Sequence, residues 1–520
     1  MKKYISKSLC VLCGVIMAVS CTGSFDDVNT DPDNPLAEDV PSTNILAYCE
    51  RYASDNMFDE WFDLNESCGF SGQVAKLMYT EESYYNFRRS VNTSSWTVCD
   101  RVTGNLKDIL DKEDATSNMW AVATIFQCQI WQVKSDRWGN IPYYTTSEGT
   151  SLKNEALQLE DGITTPAYDK QQNIYPDLLD RLARAVAVLE SGEATDEIGD
   201  GDVMLGGDIE AWIKYGNALR LRIAARIANV DPLLAKSTFE DVVNDGNMPQ
   251  DNDDNVFFEW NAEYPEPWAD YFLSRPNEYG ISDMLVNTLK EYADPRIDVY
   301  ATPTRSYSNA VSAYKDSIKQ GYNPIAVDED LQYAGYPIGT KAYAVAKNYS
   351  QIGTRFQNHT GVTGFSPWLR SCEVYFALAY AASKGWDVGM TVQEAYEKGV
   401  TLSLEENDID EAVISAYLAS DKVKEATEDN IMLQWWISLF KNGQEAWSVY
   451  RMASTDTYLF KNNKIAVDSY YPNHNCPPLC YGYPDTERDL NSDNCAVESA
   501  AESDYFWGKQ MWWDVREGLK

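Results

Sequence analysis

The chain has 520 residues, with 43 Lys plus Arg against 80 Asp plus Glu and a formal charge of −37. Such an excess of carboxylates excludes nucleic acid as a partner, because its phosphates would be repelled. Aromatic side chains make up 13% of the chain, with 34 Tyr and 16 Trp but only 2 His, a balance that suits stacking recognition of a neutral ligand better than histidine-based catalysis.

Lys2 and Lys3 precede an apolar run, residues 9–19, that ends in Met17-Ala18-Val19-Ser20-Cys21, small residues before a cysteine. The pattern reads as a signal peptide over residues 1–20, too short to span a bilayer. Its removal takes Lys2, Lys3 and Lys7 and leaves 40 basic against 80 acidic residues. No later segment is apolar for long enough to cross a membrane. Residues 21–43 are polar and punctuated by Pro32, Pro35 and Pro41, which predicts an extended tether. Residues 44–520 hold no Gly/Ser-rich or Pro-rich linker and are expected to form a single helical domain.

Within that body Ile45, Leu46, Cys49 and Tyr52 mark a helical face, and Phe58, Trp61, Phe62 and Leu64 begin another segment. Residues 78–96 break the pattern, with Tyr79, Tyr84, Tyr85, Phe87 and Trp96 set among Ser, Thr, Asn and Arg, and predict a ring-rich loop. Helical spacing resumes over 98–110 and 117–134. A further helix carries Ile174, Leu178, Leu182 and Leu189 on one face, and its Pro176 is tolerable in a first turn. An acidic, glycine-rich loop over 190–207 leads to the most regular stretch, 207–232. There Asp208 can cap the first turn, and Trp212, Gly216, Leu219, Ile223 and Ile227 keep helical spacing. Gly216, Ala218, Ala224 and Ala225 let a neighbouring backbone approach, while Lys214, Arg220, Arg222 and Arg226 are expected to pair with carboxylates of adjacent helices. Asp231-Pro232 opens the next helix, to about Asp245.

Residues 246–369 are the least regular part, rich in turns with short possible strands, and the ligand face is expected there. A helix pair follows over 369–383 and 391–404, then helix over 429–453. Trp435, Trp436 and Trp447 lie on helical stripes and, with Trp212, are assigned to the core. Helix pairs with small residues at their contacts look like tetratricopeptide-type units, although no strict repeat can be laid over the chain.

Neutral glycans offer C–H faces and hydroxyls, so a protein holds them with rings and a few polar side chains. Tyr84, Tyr85 and Trp96 in the first ring-rich stretch, and Trp260, Tyr264 and Trp268 interleaved with Glu259, Asn261 and Pro265 in the second, are the ligand-binding candidates. The competing assignment for each ring is packing beneath a loop or against a partner. His474, Cys476, Cys480 and Cys495 lack a standard zinc spacing, and a disulfide or free thiols are preferred. Asp251, Asp253, Asp254, Asn255 and Glu259 lack the glycine of a calcium loop and read as a solvated turn. Hydrolase, metalloprotease and nucleotide-loop motifs are missing, so no catalytic residue, metal or cofactor is expected.

Several stretches in order along the chain resemble the SusD/RagB family of Bacteroidetes outer-membrane lipoproteins, in particular its SusD-like branch. They are DVNTDPDNP (27–35), DRWGNIPY (136–143), PAYDKQQNIY (166–175), GDIEAWIKYGNALRLRIAARI (207–227), DPRIDVY (294–300), EVYFALAYAASKGW (373–386), WWISLFKNGQEAWSVYR (435–451) and MWWD (511–514). Near the C-terminus the chain departs from the family's common Arg-Phe-Pro-Tyr-Pro-like run, with Cys480-Tyr481-Gly482-Tyr483-Pro484 in its place.

The resemblance implies an all-α, tetratricopeptide-like scaffold with irregular, loop-rich insertions and few short strands. It implies a lipid on Cys21, an outer-membrane location facing the cell exterior, and a TonB-dependent SusC-like barrel as partner. The expected function is capture of an oligosaccharide and its delivery to that barrel, without catalysis. The alternatives are a peptide or glycoprotein fragment as cargo, a secreted carboxylate-based glycoside hydrolase, or a scaffold that gates the barrel and binds nothing.

Overall fold

Apolar residues at helical spacing, each run opened by a capping side chain, set the architecture of the computed structural model, which describes residues 40–321, 325–357, 364–462, 471 and 473–519. The signal peptide, Cys21 and most of the tether lie outside the described residues. The fold is mainly α-helical. Helices α1 (Ser42–Met57), α2 (Arg89–Lys112), α3 (Asn118–Trp138), α4 (Gln171–Ser191), α5 (Ile209–Ile227) and α6 (Pro232–Asp245) pack each against the next. Helix α7 (Ser371–Ser383) joins this array at α5 and pairs with α8 (Val392–Glu406). It also packs on α9 (Glu428–Ser438), which leads to α10 (Gly443–Met452), and α10 returns to α3. Among the described residues no helix is long and apolar enough to cross a membrane.

Local chemistry explains the starts. The Asp208 carboxylate accepts from the amides of Glu210 at 2.9 Å and Ala211 at 3.2 Å. Asp231 accepts from Leu234 N–H with Pro232 in the first turn, and Thr391 forms a capping box with Glu394. Gly216 sits where α5 meets its neighbours: a β-carbon there would stand 2.6 Å from Val186 of α4 and 3.1 Å from Ile125 of α3.

The arginines of α5 pair as the sequence predicts. Arg226 Nη2 lies 2.5 Å from Glu445 and 3.2 Å from Asp136, and Arg222 Nη2 lies 2.9 Å from Glu373. Gln132 donates to both Asp136 and Glu445 at 2.7 Å. This buried network ties α3, α5, α7 and α10 together, and each charge in it depends on its partners, since an unpaired one would be costly away from water. Lys214 bonds Glu210 and Asp254, and Arg220 bonds Asp241. Trp212, Trp435, Trp436 and Trp447 are all buried, as expected of helical stripes.

Two small antiparallel sheets hold the irregular insertion against this array. Strand β1 (Val74–Lys76) pairs with β3 (Tyr279–Ile281), and β2 (Val256–Glu259) pairs with β4 (Phe365–Leu369) with a register shift between Val256 and Phe257. The second pairing brings the two ends of the insertion together, and the first fastens its middle to the segment after α1.

Two expectations, at Trp96 and Pro176, need correction. Helix α2 starts at Arg89, so Trp96 is a helical residue and not a loop residue. Pro176 lies inside α4, in its second turn, and the helix runs through it. Cys476, Cys480 and Cys495 are free buried thiols. His474 stacks on Trp507 with ring centres 3.9 Å apart. Among the described residues no group of His, Cys, Asp and Glu is placed to hold a metal ion.

Candidate functional site

The site is built around a π-helical turn, Glu60–Ser67, that follows α1. Asp59 caps it: one carboxylate oxygen accepts from the amides of Trp61 at 2.8 Å and Phe62 at 2.6 Å. The cap turns the half-buried Trp61 to the surface while Phe62 packs inward. Burial pushes the Asp59 carboxyl up to about 7, against the two amide hydrogen bonds that favour the carboxylate. Burial also raises Asp55, with Arg51 opposing.

Four adjoining pockets run past this turn. The first, about 530 Å³, is bordered by Tyr48, Arg51, Asp55, Val203, Phe258 and Tyr264. The second, about 420 Å³, has Asp55, Asp59, Trp61, Trp260 and Tyr264. Asn56, Trp61, Arg88 and Ser94 border the third, about 370 Å³. Trp61, Lys76, Tyr79, Arg88, Tyr271 and Glu278 border the fourth, about 460 Å³. Trp61 borders three of the four.

Cations lie over the rings of this groove. The Arg51 guanidinium is 3.7 Å from the centre of the Tyr264 ring, Arg88 is 4.6 Å from Trp61, and Arg275 is 5.3 Å from Tyr271. Carboxylates hold two of them: Arg88 lies 3.2 Å from Glu82, which also receives Lys76 at 2.8 Å, and Arg275 lies 3.7 Å from Glu278. Glu278 in turn accepts from the Tyr271 hydroxyl at 2.5 Å, and burial together with this bond pushes that phenol up to about 12. The groove thus offers flat apolar faces beside carboxylate, amide and guanidinium groups, the inventory that holds a polyhydroxylated ligand.

The sequence-predicted rings divide. Tyr264 is exposed and lines the first two pockets. Trp260 borders the second although mostly buried, its indole N–H donating to Ser366 Oγ at 2.9 Å. Tyr84 is half-buried, with the Lys341 ammonium 5.0 Å from its ring centre, and borders none of the four pockets. Tyr85, Trp96 and Trp268 are corrected to core positions. Tyr85 packs between Phe70 and Trp507, Trp96 lies edge-on to Trp138 at 5.1 Å, and Trp268 is fully buried on the short helix Pro267–Ser274. Exposed polar residues stand beside Tyr85 (Asn86) and Trp96 (Ser94 and Thr97), whereas Glu266 beside Trp268 is itself buried.

Sequence reasoning missed Trp61, Tyr79, Tyr48, Arg51 and Arg88. A signal was present at Trp61, which follows Asp55, Asn56, Asp59 and Glu60, polar residues that a purely buried helical face would not carry.

Among curated proteins none matches the sequence. A solved structure described as a chitin-binding protein matches with a TM-score of 0.74 at 24% identity, covering 91% of this chain and 100% of that one. A chitin-binding SusD homologue from Flavobacterium johnsoniae matches with a TM-score of 0.71 at 22% identity, over 91% of this chain and 99% of that one. A SusD homologue from Bacteroides thetaiotaomicron matches with a TM-score of 0.70 at 21% identity, over 92% and 99%. These similarities establish a shared fold. The family model described as "Starch-binding associating with outer membrane" matches residues 35–469, and the chain therefore belongs to the SusD-like family.

Proposed function

We propose that the protein is a surface-exposed lipoprotein, anchored through Cys21 in the outer membrane, that binds an oligosaccharide and delivers it intact to a TonB-dependent SusC-like transporter. The observation that carries this reading is the groove centred on Trp61, where Tyr264 and Tyr79 present exposed rings and Asp55, Asn56 and Asp59 stand beside them. Sugar C–H faces stack on such rings, and hydroxyls pair with the amide and carboxylates. The family's description as starch-binding and the chitin-binding relatives support a glycan as the cargo. No bond needs to be broken for this role.

Calorimetry with chito-oligosaccharides, malto-oligosaccharides and a peptide panel tests it. Saturable binding to one glycan series is expected, with no shortened product on chromatography. Trp61→Ala is expected to weaken binding about tenfold, or ~1.4 kcal/mol, at unchanged thermal stability. Undiminished affinity in that variant would move the site elsewhere, and heat from peptides alone would replace the glycan by a peptide. Cys21→Ser is expected to release the protein from the membrane fraction, and affinity purification of the anchored form to recover a barrel protein.

A further inference from the structure

Charge is spread unevenly along the groove. The first two pockets are bordered by Asp55, Asp59, Glu60 and Glu259 and by one cation, Arg51. The fourth reverses the balance, with Lys76, Arg88 and Arg275 set against Glu278. The buried Glu82, which does not border this pocket, holds Lys76 at 2.8 Å and Arg88 at 3.2 Å, so two carboxylates answer three cations. In a chain of charge −37 this excess is local, and it falls on a cavity of about 460 Å³. Its field acts there, because salt screens exposed carboxylates farther away than about 8 Å.

Both guanidiniums keep donors for a ligand. Arg88 meets Glu82 through Nε, and its two terminal nitrogens have no hydrogen-bond partner among the described residues. Arg275 uses Nη1 for the Tyr271 hydroxyl at 3.3 Å and for Glu278 at 3.7 Å, which leaves Nε and Nη2. The two side chains are 57% and 53% exposed, so a ligand can reach them. A ring beside each, Trp61 at 4.6 Å and Tyr271 at 5.3 Å, limits the swing of the planar head. Sugar hydroxyls pair with charges of either sign and give no reason for cations to gather at one end of the groove. A carboxylate or sulfate does, since its oxygens accept parallel N–H bonds from a guanidinium, each about twice as strong as a neutral hydrogen bond.

On the glycan reading above, we infer that the fourth pocket is an anion subsite: it takes a sugar unit that carries a carboxylate or a sulfate, held by Arg88 and Arg275 in the field of Lys76. The carboxylates of the first two pockets repel such a group, so charge also fixes which way along the groove the ligand lies.

Calorimetry on the full-length protein with two matched pairs tests this: tetragalacturonate against its methyl ester, and sulfated chitotetraose against its unsulfated parent. In one pair the charged member is expected to bind about tenfold more tightly than its neutral counterpart at about 50 mM salt, with a smaller advantage at about 0.5 M. The pair that shows the advantage separates carboxylate from sulfate. Arg88→Gln combined with Arg275→Gln, both at exposed positions, is expected to bring the charged-to-neutral affinity ratio to about one. Charged members that bind no better than neutral ones in both pairs, or an advantage that survives the double variant, overturn the inference and leave glycan capture intact. Failure of all four compounds to bind removes the functional reading, and this inference with it.

Discussion

The helical array and the groove use the same residue types to opposite ends. In the array Arg222 and Arg226 are almost wholly buried and meet Asp136, Glu373 and Glu445 in a closed network. In the groove the Arg88 side chain is 57% exposed and lies over Trp61. Carboxyls differ in the same way. Burial pushes Glu445 up, yet Arg226 and Arg222 outweigh it and hold the group below its ordinary range. In the turn that carries Trp61, burial wins over the bonds opposing it, and Asp59, Asp63 and Glu66 rise to about 7, 7 and 8. The lesson is that an arginine or a tryptophan becomes scaffold or site according to what covers it.

Breaking the array should have the largest effect. Arg226→Ala leaves Asp136 and Glu445 short of a buried partner and is expected to cost about 3–5 kcal/mol, read as a lower urea midpoint. Arg88→Ala, its exposed counterpart, should cost at most about 1 kcal/mol in stability. Trp268→Ala and Trp61→Ala sharpen the same contrast between rings. The buried Trp268 should cost about 3–5 kcal/mol in stability, whereas Trp61→Ala should leave the urea midpoint nearly unchanged and weaken glycan binding. Equal midpoints for the two tryptophan variants would erase the distinction drawn between core and groove.

A smaller effect is expected at Gly216, where an added methyl meets Val186 and Ile125. Gly216→Ala should cost about 1–3 kcal/mol by overpacking the α4–α5 contact. The gentlest response is to pH. A carboxyl with a raised pKa binds its proton more tightly in the folded chain, so its contribution is complete below its unfolded value and disappears as pH rises through the folded one. For Asp59 that window runs from 3.8 to about 7. Asp59→Asn is therefore expected to remove part of any fall in urea midpoint between pH 5 and 8, and a parallel decline in variant and wild type would refute the assignment. Glu445 acts in the opposite sense: its stabilisation is present above its ordinary value and is lost on acidification.

Much of the array was legible from residue spacing. The Asp208 cap, the close approach at Gly216, the paired arginines of α5 and the buried Trp212, Trp435, Trp436 and Trp447 all depend on neighbours a few positions away or on one helical face. The site was only partly legible. Trp260 and Tyr264, singled out for standing in an irregular stretch with polar neighbours, border the groove. The same cue misled at Tyr85, Trp96 and Trp268, whose rings are covered by Trp507, Trp138 and the insertion's own packing. Trp61 was read as part of a helical face because its spacing fits one, and its exposure follows from a π-helical turn whose extra residue no periodicity announces.

The sequence by itself determined most helices of the array and the faces they bury, though not the start of α2 at Arg89, because caps and apolar periodicity act over one or two turns of chain. Only the tertiary structure decided which rings reach water. The groove draws on residues 47–62, 76–79, 88–98, 203 and 258–278, brought together by the β1–β3 and β2–β4 pairings across long separations in sequence. A ring's exposure is set by the distant segment that does or does not cover it.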